Sequence, residues 1–286
     1  MKIAFIVTYI DLEFIDNFIA SFKNNSSIDA TIIVVSQRSD LSWKLDNPNT
    51  KIIYIRLQEI VNSSKARNVG IEYIHNNNKV FDFILFPDDD TVYDASFFSE
   101  LLQINNSDRC YIMPVFTIEE NKIFKVIPFK NGDLIDTNGW KFIGTVNMVI
   151  DYKTFMSVGF FDENIGAGSY YGAGEDGDYF IRCCLICGGF IYNDKIYNYH
   201  PSPKNTYANL DLKSMIKRFN RYGRGLVYML CKHEMYINAF LLANKGLLGV
   251  FKSILFFRPK LAICYLLSWI ERNRILINLY FNKRKQ

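Results

Sequence analysis

The first 110 residues alternate short apolar runs with segments whose apolar residues recur at helical spacing, and few folds accept that pattern. Lys2–Thr8, Lys51–Arg56 and Phe81–Phe86 read as strands. Thr31–Val35 is a continuous apolar, β-branched run, as expected of a strand covered on both faces. Between these runs, Asp11–Lys23 sets Phe14, Ile15, Phe18, Ile19 and Phe22 on one helical stripe. Ser63–His75 reads as a helix with Ser63 or Ser64 as its N-cap. Strands alternating with helices form a parallel sheet with right-handed crossovers, so the fold class is α/β. Such open sheets bind ligands beyond the carboxyl ends of their strands, which directs attention to the residues that follow each strand.

From about residue 111 the alternation weakens. Tyr111–Phe116, Ile123–Pro128 and Thr145–Ile150 look like strands of a mixed sheet, Asp151–Val158 like a short helix, and a glycine-rich stretch leads into a helix at Asp176–Cys187. Residues 211–286 read as three or so basic amphipathic helices. Charge divides the chain at the same place: the net charge of +4 is the sum of −8 over residues 1–210 and +12 over residues 211–286. We therefore expect a catalytic domain at 1–210 and a helical, membrane-associating region at 211–286. An acidic body suits a metal or sugar site, and a basic tail suits an anionic surface.

Several classes drop out. Hydrophobic residues make up 49% and charged residues 22%, values of a globular chain rather than a disordered one. No secretory leader is expected, because Met1-Lys2 runs straight into the first strand. The apolar stretch from Leu247 to Ile270 is broken by Lys252, Arg258, Pro259 and Lys260. A spanning helix needs about 20 nearly uninterrupted apolar residues, so no bilayer crossing is expected. Cys184 and Cys187 have no second pair to complete a zinc site, and the six cysteines read as reduced thiols of a cytoplasmic protein. A Walker A loop, a dinucleotide-binding glycine fingerprint and a serine nucleophile elbow are all missing.

Four features carry chemistry. Asp88-Asp89-Asp90 follows directly on a strand; adjacent carboxylates repel, and alternate side chains share a face, so Asp88 and Asp90 can converge on a hard divalent ion. A solvated acidic loop with Asp90 capping the next helix is the other reading. Gly172-Ala173-Gly174-Glu175-Asp176 either caps a helix or aims one carboxylate into a site as general base. His200 ends a β-like segment and is a packed residue or a third metal ligand. Arg67, in Lys65-Ala66-Arg67-Asn68-Val69-Gly70, lies on a solvated basic face or clamps a diphosphate.

Taken in order, these pieces resemble the nucleotide-sugar glycosyltransferases of the GT-A fold, specifically the inverting family 2 and its galactosyltransferase-like relatives. The resemblance covers about residues 1–205. It rests on Thr8-Tyr9 after the first strand, Ser36-Gln37 after Ile32–Val35, the Lys65–Gly70 stretch, Asp88-x-Asp90, Asn147 in Gly144-Thr145-Val146-Asn147, and Gly174-Glu175-Asp176. It implies a Rossmann-like mixed sheet flanked by helices. It further implies that Thr8, Tyr9, Gln37, Arg67, Asp88 and Asp89 meet the nucleotide sugar, and that Asp88, Asp90 and His200 hold Mn²⁺ or Mg²⁺. Asp176 would be the base, with Glu175, Gly174 and Asn147 at the acceptor. One departure stands out: relatives end the second strand in an acidic residue that contacts uracil, where this chain has Ser36-Gln37, with Asp40 a few residues on.

The expectation is an inverting hexosyltransferase of bacterial O-antigen or capsule synthesis. It would use UDP-Gal or UDP-Glc, or UDP-GlcNAc or UDP-GalNAc, with a lipid-linked glycan as acceptor, on the inner face of the cell membrane. A sugar-phosphate nucleotidyltransferase would use a similar acidic site but needs a glycine-rich loop with a basic residue after the first strand, which Thr8-Tyr9-Ile10-Asp11 does not provide. A carbohydrate-binding membrane-peripheral protein is the non-enzymatic rival. Nucleic acid is not expected as a partner, since the basic residues form no recognisable binding module.

Overall fold

The computed structural model describes the chain apart from residues 11–13, 39–42, 105–107, 125–126, 203–209 and 284–286. Asp40, Arg284 and Lys285, the start of the expected Asp11–Lys23 helix and the middle of the expected Ile123–Pro128 strand therefore lie outside the described residues. The chain forms two compact units, Met1–Phe161 with Tyr179–Ser202, and Asp162–Asp178 with Pro203–Gln286.

The first unit is built on strands β1 (Lys2–Tyr9), β2 (Asp29–Ser36), β3 (Thr50–Arg56), β4 (Phe83–Leu85), β5 (Tyr111–Ile112), β6 (Val115–Thr117), β7 (Leu134–Ile135), β8 (Met148–Asp151), β9 (Phe190–Tyr192) and β10 (Asn198–His200). Eight of them make one sheet in the order β3-β2-β1-β4-β8-β5-β9-β7, and β10 pairs with β6. β3, β2, β1 and β4 are parallel, while β8 runs antiparallel to β4 and to β5. This is the mixed α/β sheet of a GT-A fold. Its helices are α1 (Ile15–Ala20), α2 (Ser63–Asn76), α3 (Ala95–Leu102), α4 (Tyr152–Val158) and most of α5 (Glu175–Cys187).

β1 shows why the opening residues are almost wholly apolar. One face, Ile3, Phe5, Val7 and Tyr9, joins the core with Phe18 and Phe22 and with Phe97 and Phe98 of α3. The other face meets α2, where a Cβ on Gly70 would stand 2.4 Å from Ile6 Cγ2, so that only glycine lets the helix lie so close. The N-cap of α2 is Asn62 rather than Ser63 or Ser64: its side chain accepts the Lys65 N–H at 2.8 Å, the bond a cap residue makes to the third residue beyond it. The expected strand at Thr145–Ile150 begins instead with a 3-10 turn at Thr145–Asn147, because Asn147 folds back to accept the Gly144 N–H at 3.1 Å.

In the second unit α6 (Leu212–Lys232), α7 (Tyr236–Leu255) and α8 (Pro259–Lys283) pack together. Glycines bring them close: a Cβ on Gly223 would meet Arg272 and Ser268, and one on Gly249 would meet Tyr265. α7 buries only small residues, Ala239, Ala243, Gly246 and Ser253, while Ile237, Phe240, Leu248 and Phe251 stay exposed. None of the described helices is long and apolar enough to cross a membrane.

Candidate active site

In the first unit the strand ends collect the predicted nucleotide and metal residues. Tyr9 and Ser36 close the β1–β2 ladder, and the Gln37 N–H continues it to the Tyr9 carbonyl at 3.2 Å. The Gln37 side chain accepts the Val61 N–H at 2.9 Å. Thr8 is half-buried beside them. Trp43 packs edge-on against Tyr9 and stacks with Tyr54, ring centroids 5.6 and 5.8 Å apart, an aromatic group at the same strand ends that periodicity alone did not single out.

The Arg67–Gly70 stretch has a distinct task for each of three side chains. Gly70 admits β1. Asn68 is tied to Phe161 in both directions, accepting its N–H at 2.7 Å and donating to its carbonyl at 3.0 Å. Arg67, buried and lying 5.6 Å over the Phe161 ring, donates to Thr145 Oγ1 at 3.0 Å and Asp88 Oδ1 at 3.3 Å. It is thus no solvated face but a cation placed against the acidic triplet.

Asp90 does not cap the next helix. That cap is Asp94, whose carboxylate accepts the Phe97 N–H at 2.9 Å. Asp90 lies next to His200 instead, for a backbone reason: Val92 and Tyr199 exchange N–H···O bonds of 2.8 and 2.9 Å, which registers β10 beside the acidic loop. His200 Nε2 then stands 2.9 Å from Asp90 Oδ1 and 4.0 Å from Asp88 Oδ2. Its Nδ1 lies 2.9 Å from the Pro201 carbonyl, which can only accept, so Nδ1 carries a proton; Nε2, facing the Asp90 carboxylate at 2.9 Å, is the nitrogen a metal would take in exchange for its proton.

One ligand atom each from Asp88, Asp90 and His200 lies within 4.8 Å of the others, the one such group among the described residues. Asp90 Oδ1 is buried, with His200 Nε2 facing it. Charge is crowded here. Burial, followed by the neighbouring Asp90 and Asp88 carboxylates, pushes Asp89 up to about 7. Burial lowers the proton affinity of His200, but the facing Asp90 and Asp88 and the Pro201 carbonyl outweigh it and raise the ring to about 9. Two carboxylate oxygens and an imidazole whose Nδ1 is tied to a carbonyl suit a divalent metal, which would take the place of the proton between His200 Nε2 and Asp90 Oδ1. Asn147, predicted at the acceptor, is buried and bonded within its own turn.

The second unit holds the glycine loop. Gly174 has a φ of +102°, and a Cβ there would meet the Gly225 carbonyl at 3.1 Å; conversely, a Cβ on Gly225 would stand 2.0 Å from the Ala173 oxygen. Loop backbone thus rests on helix backbone. Beyond it Glu175 and Asp176 begin α5, and Glu175 accepts the Ala167 N–H at 3.3 Å. Asp178, one turn on, is fully buried and meets Lys232 Nζ at 2.8 Å and His233 Nε2 at 2.9 Å, while Asp162 meets the same Lys232 at 2.7 Å. Sequence reasoning left His233 unassigned, and its partner lies 55 residues away. An arginine-walled cleft of about 450 Å³ adjoins Gly172, lined by Lys217, Arg218 and Arg221 of α6.

These two sets of residues set the frame for comparison with known proteins. No curated protein matches the sequence. Among solved structures, S. aureus TarS residues 1–349 in complex with UDP-GlcNAc superposes with a TM-score of 0.56 at 13% identity, covering 99% of this chain and 92% of that one. The mannosyltransferase PcManGT from Pyrobaculum calidifontis, in complex with GDP-Man and Mn²⁺, gives 0.57 at 12% identity over 94% of this chain and 86% of that one. This chain spans 49% of the longer TarS structure. Such likenesses establish the shared fold. The model of the family described as glycosyl transferase family 2 matches residues 3–157, more than half of the chain, and the protein belongs to that family.

Proposed function

We propose that this glycosyltransferase is inverting and metal-dependent, and that it moves a hexose from UDP-Gal or UDP-Glc, with UDP-GlcNAc or UDP-GalNAc as further candidates, to a lipid-linked glycan. The setting we infer is bacterial surface polysaccharide synthesis at the inner face of the cell membrane. The observation that carries the reading is the convergence of Asp88, Asp90 and His200, with His200 Nδ1 tied to the Pro201 carbonyl and Arg67 beside the acids. A divalent ion held there would offset the charge that develops on the leaving nucleoside diphosphate. The TarS and PcManGT complexes hold UDP-GlcNAc and GDP-Man, nucleotide sugars of the same donor class.

Each residue then has a defined task. The Gln37 side-chain NH₂ donates to a uracil carbonyl, its oxygen being already engaged by Val61, and the Tyr9 and Trp43 rings give the base a face. Thr8 and Asp89 border the ribose and diphosphate, with Arg67 as the fixed cation. Asp176 takes the proton of the acceptor hydroxyl as its oxygen attacks the anomeric carbon. The bond from that carbon to the phosphate oxygen breaks on the opposite face, the electron pair leaves with the diphosphate, and the configuration inverts. Glu175 and the backbone around Gly174 orient the acceptor sugar, with Asn147 shaping its surroundings. Residues 1–210 constitute the catalytic domain and residues 211–286 the membrane-associating region, favoured by exposed apolar residues on α7 beside Lys245 and Lys252.

A thermal-shift screen of UDP-, GDP- and TDP-hexoses with and without Mn²⁺ tests the reading. The true donor raises Tm only with the metal present; no response to any nucleotide sugar overturns it.

A further inference from the structure

α7 is built inside out. A helix on the surface of a soluble domain turns its large apolar residues to the core and its polar ones to water. α7 packs instead through Ala239, Ala243, Gly246 and Ser253, and lies against Trp269 and Tyr265 of α8 at Gly246 and Gly249. Its large residues point the other way. Ile237, Phe240, Leu241, Leu248, Phe251 and Leu255 are spaced by threes, fours and sevens, so they form one stripe, and each is at least 58% exposed. Lys245 and Lys252, also exposed, stand one turn beyond Leu241 and Leu248 and edge that stripe along one side.

The turn into α8 continues the pattern. The Arg258 N–H reaches the Ser253 carbonyl at 2.8 Å and the Phe257 N–H the Ile254 carbonyl at 3.0 Å, a helix-ending motif whose left-handed position glycine normally takes. Here Phe257 takes it, with a φ of +52° and 92% of its surface exposed. An aromatic side chain is disfavoured in that backbone region, and at this exposure packing within the chain does little to offset the strain. Phe256 beside it is exposed as well, and past Arg258 and Lys260 the residues Ile263, Leu266, Leu267 and Ile270 make a second exposed apolar stripe on α8.

Charge decides what covers this face. Residues 236–270 contain four cations, Lys245, Lys252, Arg258 and Lys260, and no carboxylate. A second copy laid on the same stripe would bring another set of lysines and no acid to meet them. A lipid surface meets both parts, with acyl chains against the stripe and lipid phosphates against the cations. Since none of the described helices is long and apolar enough to cross a membrane, α7 would lie flat.

We propose that α7 lies in the plane of a bilayer surface containing anionic lipid, with its apolar stripe and the Phe256-Phe257 turn sunk among the acyl chains and Lys245, Lys252, Arg258 and Lys260 at the phosphates. This rests on the membrane reading above and deepens it. The inserted surface is named, and burial of apolar side chains, more than the charge of the tail, becomes the main source of affinity.

Flotation of the full chain with phosphatidylcholine–phosphatidylglycerol vesicles tests this at about 0.1 M and about 1 M NaCl, where the screening length falls from roughly 10 to 3 Å. The wild type should stay bound at high salt, weakened by less than about tenfold. Phe251→Ser with Phe257→Ser, both at exposed positions, should weaken flotation at least about tenfold at either salt. Leu248→Ser with Leu255→Ser should do the same, and takes over if the first pair does not fold. Lys245→Gln with Lys252→Gln should weaken binding less and only at low salt, while Lys122→Gln in the first unit changes nothing. Complete release of the wild type at high salt, or unchanged flotation of both serine pairs, overturns the proposal and leaves a tail held by charge alone. No flotation at all removes the membrane reading with it. A vesicle-free dimer in light scattering that the serine pairs dissociate also overturns it, by giving the stripe to a second copy. The Mn²⁺-dependent response to UDP-sugars is measured on the same samples, so that failure of flotation with the donor response intact refutes this surface and not the enzyme.

Discussion

The two units each bring two aspartates and one histidine together, with opposite results. In the second unit Lys232 stands between Asp162 and Asp178, His233 adds a further contact, and the Asp178 side chain is 0% exposed. Lys232 bridges both carboxylates, and the cluster serves to hold α6 to the start of α5. In the first unit Arg67 donates to one oxygen of Asp88, whose side chain is 41% exposed, and His200 stands against Asp88 and Asp90. Residue types are the same, but one group is closed around a lysine and a fully buried carboxylate, while the other lies partly exposed at the strand ends. A pair of acids with a histidine thus indicates a metal site only after the nearby lysines have been placed.

The largest expected effect separates two aspartates on one turn of α5. Asp176→Asn should lower turnover by about 10²–10⁴-fold, the usual worth of a general base, with Mn²⁺-dependent donor binding retained in calorimetry. Asp178→Asn should act on stability instead. It leaves Lys232 and His233 facing a neutral amide in a closed space, at a cost of about 3–5 kcal/mol in chemical denaturation. If Asp178→Asn folds as stably as the wild type, the second cluster is not the pin described here.

A smaller effect tests the openness of the first cluster. Saturating Mn²⁺ should stabilise the wild type by about 2–3 kcal/mol when present at roughly a hundred times its Kd. Asp90→Ala should lose that increment, while Asp178→Asn should keep it from a lower starting Tm. The same response in both variants would erase the distinction between the clusters.

The smallest effect is on pH. Burial tends to raise the Asp162 carboxyl, but the Lys232 ammonium and the Asn164 N–H more than offset it, and the group lies below its usual range. Its stabilisation is therefore present above the unfolded carboxylate value of about 4 and is lost as pH falls through the folded one. Burial lowers Lys232, but Asp162 and Asp178 raise it further, so its share is complete below about 10.4 and is lost as pH rises through the raised value. The stability gap between the wild type and Lys232→Met should be level from about pH 5 to pH 10 and shrink on either side. A gap that is level throughout would remove the ion pairs as its cause.

Local pattern made the sheet legible. Apolar runs gave β1, β2 and β4, because a strand covered on both faces leaves little freedom in composition, while β3, at the sheet edge, showed as a short β-branched run between charged residues. The triplet at 88–90 and the Arg67–Gly70 stretch were readable because charge adjacency and a glycine amid helix formers are local anomalies. What was not legible depends on pairing across distance. The contact between His200 and Asp90 needs the Val92–Tyr199 bridge, and the role of Asp178 needs a lysine and a histidine more than 50 residues away. Gly225 looked like one more residue of a basic helix; its function is a missing side chain, visible only once Ala173 lies against it.

That missing side chain has a practical consequence. Asp176 owes its position to α6, although the rest of α5 is packed into the other unit. A chain shortened to residue 202 would keep every atom of the Asp88, Asp90 and His200 group yet release the loop that carries Asp176, the residue we propose as the base. Donor affinity and transfer should thus separate under truncation. On the proposed mechanism, exchanging the last eighty or so residues between relatives should therefore change turnover while leaving donor affinity in place.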